Sequence, residues 1–229
     1  MTEVNIREKV LAANAAAARA LRESFRESGT LVVNLISSPG SGKTTLLEAT
    51  ARALKGRLRL GGLDGDIATE RDAQRLRDAG IPARQILTGG ACHLDARQIE
   101  TALAEEGERL SDLDLLLIEN VGNLICPTSY DLGEDFKVAL LSVTEGDDKP
   151  FKYPGIFARA AVTVLTKADL LPHVDFDLDA VILQIAALNP SARVLVVSAG
   201  TGQGMDGWYA LLEEERARKG AARAAACPA

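Results

Sequence analysis

The run Ser37-Ser38-Pro39-Gly40-Ser41-Gly42-Lys43-Thr44-Thr45 constrains this chain more than any other stretch. An apolar segment, 31–36, precedes it and a helical pattern beginning at Leu46 follows. Strand, glycine-rich turn and helix in that order make a phosphate cradle. Gly40 and Gly42 let backbone N–H groups approach phosphate oxygens, and the helix turns its positive end toward them. Pro39, Ser41 and Thr45 complete the loop. Lys43 is placed to reach β- and γ-phosphates, and the Thr44 hydroxyl to ligate Mg²⁺. Ser37 stands where the G-x-x-x-x-G-K-S/T pattern has its first glycine, and Gly40 restores the backbone freedom lost there. The expected fold is therefore α/β: a P-loop NTPase with a mostly parallel sheet and helices on both faces.

The rest of the chain extends that pattern. Its 229 residues are enough for one domain over 1–229, and with aromatics at only 4% the core must be built from Leu, Val, Ile and Ala. Strands are expected at 58–63, 84–87, 113–118, 138–143, 161–165 and 194–197. Helices are expected at 46–54, 70–79, 96–106, 153–158, 178–188 and 204–218. Ile6, Val10, Ala13, Ala17, Leu21 and Phe25 recur at helical spacing, which predicts an N-terminal helix over 4–28 with that stripe packed on the domain. Residues 219–229 are Ala-rich without a pattern and read as a disordered tail. A net charge of −6 disfavours nucleic acid as a partner. No apolar run approaches the ~20 residues of a membrane helix, the N-terminus is no signal peptide, and three cysteines are too few for a disulfide framework. A cytoplasmic chain with reduced thiols and no membrane partner is expected.

Thr166-Lys167-Ala168-Asp169 ends the strand 161–165 at the sheet edge where α/β ligands bind. Asp169 can accept from the ring N–H and exocyclic amine of guanine, whereas adenine offers neither, so the same carboxylate favours GTP and GDP over adenine nucleotides. The Lys167 stem can lie over the base, and Ser198-Ala199, in a second strand-to-turn segment, can reach the guanine carbonyl. Asp66 and Glu119 follow or end strands at the same edge. Both are candidates to hold the waters of Mg²⁺ beside Thr44 and, with Lys43, to serve hydrolysis. Asp66 reads equally well as a helix N-cap beside Thr69. With no obvious glutamine to orient water and no arginine finger, slow intrinsic turnover is expected. Cys92 and His93 share a loop after the strand 84–87, and Cys126 follows the strand that ends in Glu119. Two thiols and an imidazole suit Zn²⁺ or Ni²⁺, but spacing leaves open two small buried thiols and a loop histidine. Three ligands fall short of a closed site, which a twofold dimer would double.

Taken together, the phosphate loop, Gly89 to Asp95 around Cys-His-Leu-Asp, Glu119-Asn120-Val121-Gly122-Asn123-Leu124, Cys126-Pro127, Thr144 to Pro150 and Thr166-Lys167-Ala168-Asp169 resemble the HypB family, GTPases that assist nickel insertion into NiFe hydrogenase. The resemblance runs from about Asn5 to Glu215. It implies Cys92, His93 and Cys126 as nickel or zinc ligands at a GTP-dependent homodimer interface. It also implies two partners, a nickel-binding accessory protein and the hydrogenase large-subunit precursor. Lys149, in the segment 131–153, is a candidate to reach a neighbour's nucleotide. These residues hold no Cys-x-x-Cys site and no His-rich stretch, features of some members, so nickel storage is not expected. Other readings are a urease-type accessory GTPase, a P-loop kinase of small metabolites and a non-catalytic metal scaffold.

Overall fold

The computed structural model describes residues 3–66, 71–107 and 112–226, with side chains from Glu8 onward. Among them, seven strands form one parallel sheet: β1 (Leu31–Ser37), β2 (Leu60–Asp66), β3 (Ala83–Leu87), β4 (Leu115–Glu119), β5 (Phe136–Ser142), β6 (Val162–Thr166) and β7 (Arg193–Val196), in the order β3-β2-β4-β1-β5-β6-β7. The chain winds outward both ways from the middle, so β1 carries the phosphate loop to the point where strand order reverses, the position of a ligand crevice in open α/β sheets.

Among the described residues eight α-helices connect and cover the strands: α1 (Glu3–Ser28), α2 (Lys43–Leu54), α3 (Arg71–Asp78), α4 (Ala96–Glu106), α5 (Lys149–Lys152), α6 (Pro154–Arg159), α7 (Leu178–Leu188) and α8 (Met205–Ala226). The twofold alternation of β1 decides which residue meets which layer. Leu31, Val33 and Leu35 pack with α2, α3 and α8 through Leu46, Leu76 and Trp208. Val32 faces α1 and α4 through Leu21, Phe25 and Ile99, and Ile36 faces α6 and α7 through Phe157 and Ile185. Trp208 is fully buried, and its indole N–H donates to Thr50 Oγ1 at 2.8 Å. That bond answers the one polar demand of the largest core side chain.

Expectations change at both ends of the chain. The N-terminal helix forms, but its packed face runs Asn14, Ala18, Leu21 and Phe25, while Ala13 and Val10 are exposed. Asn14 draws the face round because its amide donates to Asp131 O at 2.8 Å and accepts from Ala96 N at 2.8 Å. The expected tail over 219–229 is helical as far as Ala226. Lys219 Nζ reaches Asp135 Oδ2 at 2.6 Å, and Arg223 donates to Ser28 O at 2.9 Å. Composition shows no apolar pattern there because the anchors are polar. Cys227 lies outside the described residues, and among those described no helix is long and apolar enough to cross a membrane.

Candidate functional site

The phosphate loop leaves β1 at Ser37 and enters α2 at Lys43. Gly40 (φ 77°) and Gly42 (φ 91°) take left-handed backbone, and a methyl group built on either would touch nothing within 4 Å. The glycines are needed for conformation, and the open space before them is room for an anion. Gly42 caps α2 without a side-chain bond, which leaves the first amides of the helix for a ligand. Lys43, largely buried, donates to Ser37 Oγ at 2.9 Å. The residue that departs from the glycine pattern thus holds the lysine head. Burial draws the Lys43 ammonium below its ordinary pKa, so a phosphate in reach would gain a poorly solvated positive charge.

A cleft of ≈ 490 Å³ opens over this loop, with Asp64, Gly65 and Asp66 on one wall, Glu119 to Gly122 on another, and Asp72, Arg75 and Lys167 at the rim. Thr44 Oγ1 donates to Glu119 Oε1 at 2.9 Å. Asp64 lies opposite Glu119 in the β2–β4 register. Both carboxylates are buried, and Asp64 Oδ2 and Glu119 Oε2 have no hydrogen-bond partner among the described residues. Burial pushes Asp64 to about 7 and Glu119 to about 8, with Lys43 pulling both back. Orphaned carboxylate oxygens beside a threonine hydroxyl form a donor set that fits a hard divalent cation such as Mg²⁺. Asp66 ends β2 and lines the cleft, half-exposed. Its alternative partner Thr69 lies outside the described residues.

Asp64 was not legible as a site residue because β2 was expected to end at Leu63. Strand alternation held the signal, since Asp64 and Asp66 share one face. Asp72, Arg75 and Gly122 were also missed. A methyl on Gly122 would lie 2.8 Å from Pro39 Cγ and 3.0 Å from Pro39 N, so this glycine lets the end of β4 press on the phosphate loop.

On the other flank, Lys167 sits at φ 59° and donates from Nζ to Gly40 O at 2.8 Å, laying its stem across the phosphate loop. Thr166 donates to Ser41 O at 2.7 Å and ties the same loop. Asp169 is exposed in the turn Ala168–His173, and Ser198 is buried nearby, with Ala168 N bonded to Val197 O at 3.0 Å. Asp169, Ser198 and Ala199 stand outside the cleft proper, on the side where Lys167 closes it. Lys149 Nζ lies 4.0 Å from Glu145 Oε2 and 5.5 Å above the Tyr153 ring.

The soft residues converge. One ligand atom each from Cys92, His93 and Cys126 lies within 4.8 Å of the others, all three half-buried. Irregular backbone makes this possible. Gly89 and Gly90 take φ of 61° and 97°, and Thr88 Oγ1 donates to Ala91 O at 2.7 Å. Asp95 then caps α4 in a reciprocal box with Gln98. Tyr130 stacks on His93 with ring centroids 3.8 Å apart. The Cys126 hydrogen bond, then burial, raise the Cys92 thiol, and burial lowers His93. A cation here would displace the thiol protons. Three S and N donors with one side open are what a borderline-soft divalent ion accepts.

Residues 31–196 match the CobW/HypB/UreG nucleotide-binding domain. The chain is 49% identical over 222 residues to hydrogenase maturation factor HypB of Azotobacter vinelandii, covering 96% of this chain and 72% of that one. It is 42% identical to hydrogenase/urease maturation factor HypB of Helicobacter hepaticus, covering 94% and 89%. The crystal structure of HypB from Helicobacter pylori in complex with nickel superposes with a TM-score of 0.85 at 41% identity, covering 90% of this chain and 96% of that one.

Proposed function

This chain belongs to the HypB hydrogenase maturation factors of the CobW/HypB/UreG family, and on that premise we propose that it is a GTP-hydrolysing switch delivering nickel to a hydrogenase precursor. The observation that carries the reading is the adjacency of two chemically different sites. One short segment, 119–126, holds a buried carboxylate on the phosphate cleft at its start and a thiol of the soft cluster at its end.

In this reading Lys43 leaves Ser37 for the β- and γ-phosphates, and the amides of Gly40 to Thr45 hold the remaining oxygens. Thr44, Asp64 and Glu119 would hold Mg²⁺ or its waters, with Asp66 beside them; the ion when bound offsets phosphate charge as the γ-phosphoryl leaves. Asp169 accepts from guanine, Lys167 covers the base, and Ser198 and Ala199 approach its carbonyl. Cys92, His93 and Cys126 carry nickel as cargo, with zinc able to take the same donors. The open ligand position is filled by a second copy across a GTP-dependent homodimer, and Lys149 reaches the neighbour's nucleotide from there. A nickel-binding accessory protein supplies the ion, and the large-subunit precursor receives it in the cytoplasm. Because the Helicobacter hepaticus relative is named a hydrogenase/urease factor, a urease precursor is the second candidate recipient.

The test is a Ni²⁺ titration of protein loaded with a non-hydrolysable GTP analogue, repeated on Cys92→Ala. An endpoint near half a metal per chain that vanishes in the variant supports the shared site. No specific binding in either protein sinks the delivery role.

A further inference from the structure

We infer that Asn120 is the positioning residue through which the nucleotide cleft and the soft-metal cluster sense each other. This rests on the proposed switch and names the side chain that connects its halves. Asn120 follows Glu119 directly and is buried with 1% exposure. Its backbone N–H is fixed to Leu35 O at 3.0 Å, so the residue rides on the central strand that feeds the phosphate loop. Its side chain turns the other way. Oδ1 accepts from Leu94 N at 3.2 Å and from Val121 N at 3.0 Å, while Nδ2 donates to Asn34 Oδ1 at 3.2 Å.

Leu94 is the residue after His93. Its amide is anchored on the Asn120 side chain, and Asn120 is joined directly to Glu119. A second contact presses on the same residue from the other carboxylate strand, since a methyl on Gly65 would come within 2.7 Å of Leu94 Cγ. Gly65 lies between Asp64 and Asp66. Any shift of the two carboxylate strands as they take up a cation therefore reaches Leu94 from both sides, through a hydrogen bond and a packing contact. His93, whose ring also stacks on Tyr130, is joined to Leu94 by one peptide bond and is displaced with it. Packed, hydrogen-bonded elements transmit such shifts as alternative arrangements rather than by gradual bending.

Coupling between two ligands is reciprocal, so nickel and nucleotide must change each other's affinity by one common factor. The experiment measures Ni²⁺ affinity with GDP and with a non-hydrolysable GTP analogue, and each nucleotide's affinity with and without Ni²⁺, for the wild-type chain and Asn120→Ala. The expected wild-type ratio is of the order of 5–150-fold. In the variant it should fall to within about twofold of unity, whatever happens to either affinity alone. A purely structural role would lower stability and leave the ratio intact, and that result overturns the inference. A wild-type ratio of one would overturn the switch and this inference with it. Should Asn120→Ala fail to fold, the wild-type Leu94 amide gives the answer. Its hydrogen-exchange protection should change when GDP is replaced by the analogue, and an unchanged Leu94 amide alongside a changed Ni²⁺ affinity refutes the assignment.

Discussion

Replacing Glu119 by glutamine should stabilise the protein when it is free of metal and nucleotide. Glu119 is buried, its Oε2 lacks a partner among the described residues, and burial raises it from an ordinary 4.5 to about 8. The folded chain therefore keeps a proton that the unfolded chain releases. Stability from this group is whole below pH 4.5 and is lost as pH climbs toward 8. At pH 7 the loss spans roughly 2.5 pH units, or about 3 kcal/mol at 1.36 kcal/mol each. Glutamine is neutral in both states and can still accept from Thr44 through its carbonyl oxygen, so Glu119→Gln removes the loss. For a chain of this size that is a rise of roughly 6–12 °C in midpoint. The assay is denaturation in chelator at pH 5, 7 and 8.5. The variant should gain less than about 1 kcal/mol at pH 5 and about 3 kcal/mol at pH 7. With Mg²⁺ and GDP the order should reverse, because ligand-linked stabilisation needs the carboxylate. A variant less stable than wild type at pH 7 without ligands, or a gain independent of pH, would refute the account of Glu119 as an orphaned acid awaiting a cation.

Other substitutions test other parts of the site. Asp169→Asn removes the proposed acceptor for two guanine N–H groups and should lower GDP affinity by roughly 10²–10³-fold while leaving ADP little changed, read by calorimetric titration. Gly122→Ala places a methyl 2.8 Å from Pro39 Cγ and should weaken nucleotide binding by about tenfold or more with the circular dichroism spectrum preserved. Ni²⁺ affinity should rise with pH between about 6.5 and 8.5, because Cys92 is held protonated by its bond to Cys126 and by burial and must lose that proton to bind. Competition titrations check this, and a flat profile would exclude thiolate ligation.

What the sequence disclosed and what it hid follow from the range of the forces involved. Local chemistry was readable. Helices α4 and α7 occupy the expected 96–106 and 178–188 because Asp95 and Asp177 cap them by side-chain bonds three residues long. The sheet and the phosphate loop follow from apolar runs and glycine placement. Asp64 was hidden because an acid inside β2 looks like the end of a strand. The polar face of α1 was hidden because Asn14 is satisfied by Ala96 and Asp131, more than eighty residues away in sequence. The helical end of α8 rests on an ion pair to Asp135 and a hydrogen bond to the last residue of α1, which leave no periodic trace. Cys92, His93 and Cys126 could be named, but their convergence depends on the backbone that Gly89, Gly90 and Asn123 set. Asn123 Nδ2 holds Cys92 O at 3.3 Å.

The two cation chemistries are sorted by donor type, and this bears on how a switch of this design could work. Asp64 and Glu119 offer hard oxygens at a phosphate cleft; Cys92, His93 and Cys126 offer sulfur and nitrogen a few residues further along the chain. A soft ion gains little at the first and Mg²⁺ gains little at the second, so each cation reports on one site. The carboxylate pair is the strained half, costing about 3 kcal/mol for Glu119 alone at pH 7 when no ion is present. That free energy is recovered when a cation arrives with nucleotide. If the recovery requires β2 and β4 to settle differently at their ends, Leu94 must follow, and the geometry of His93 against Cys126 changes with it. Nickel held only in the other geometry then disfavours the settled state by the same amount. The direction of transfer thus reduces to one sign, whether Ni²⁺ binds more tightly with the GTP analogue or with GDP. Tighter binding with the analogue means hydrolysis releases the metal; tighter binding with GDP means hydrolysis loads it.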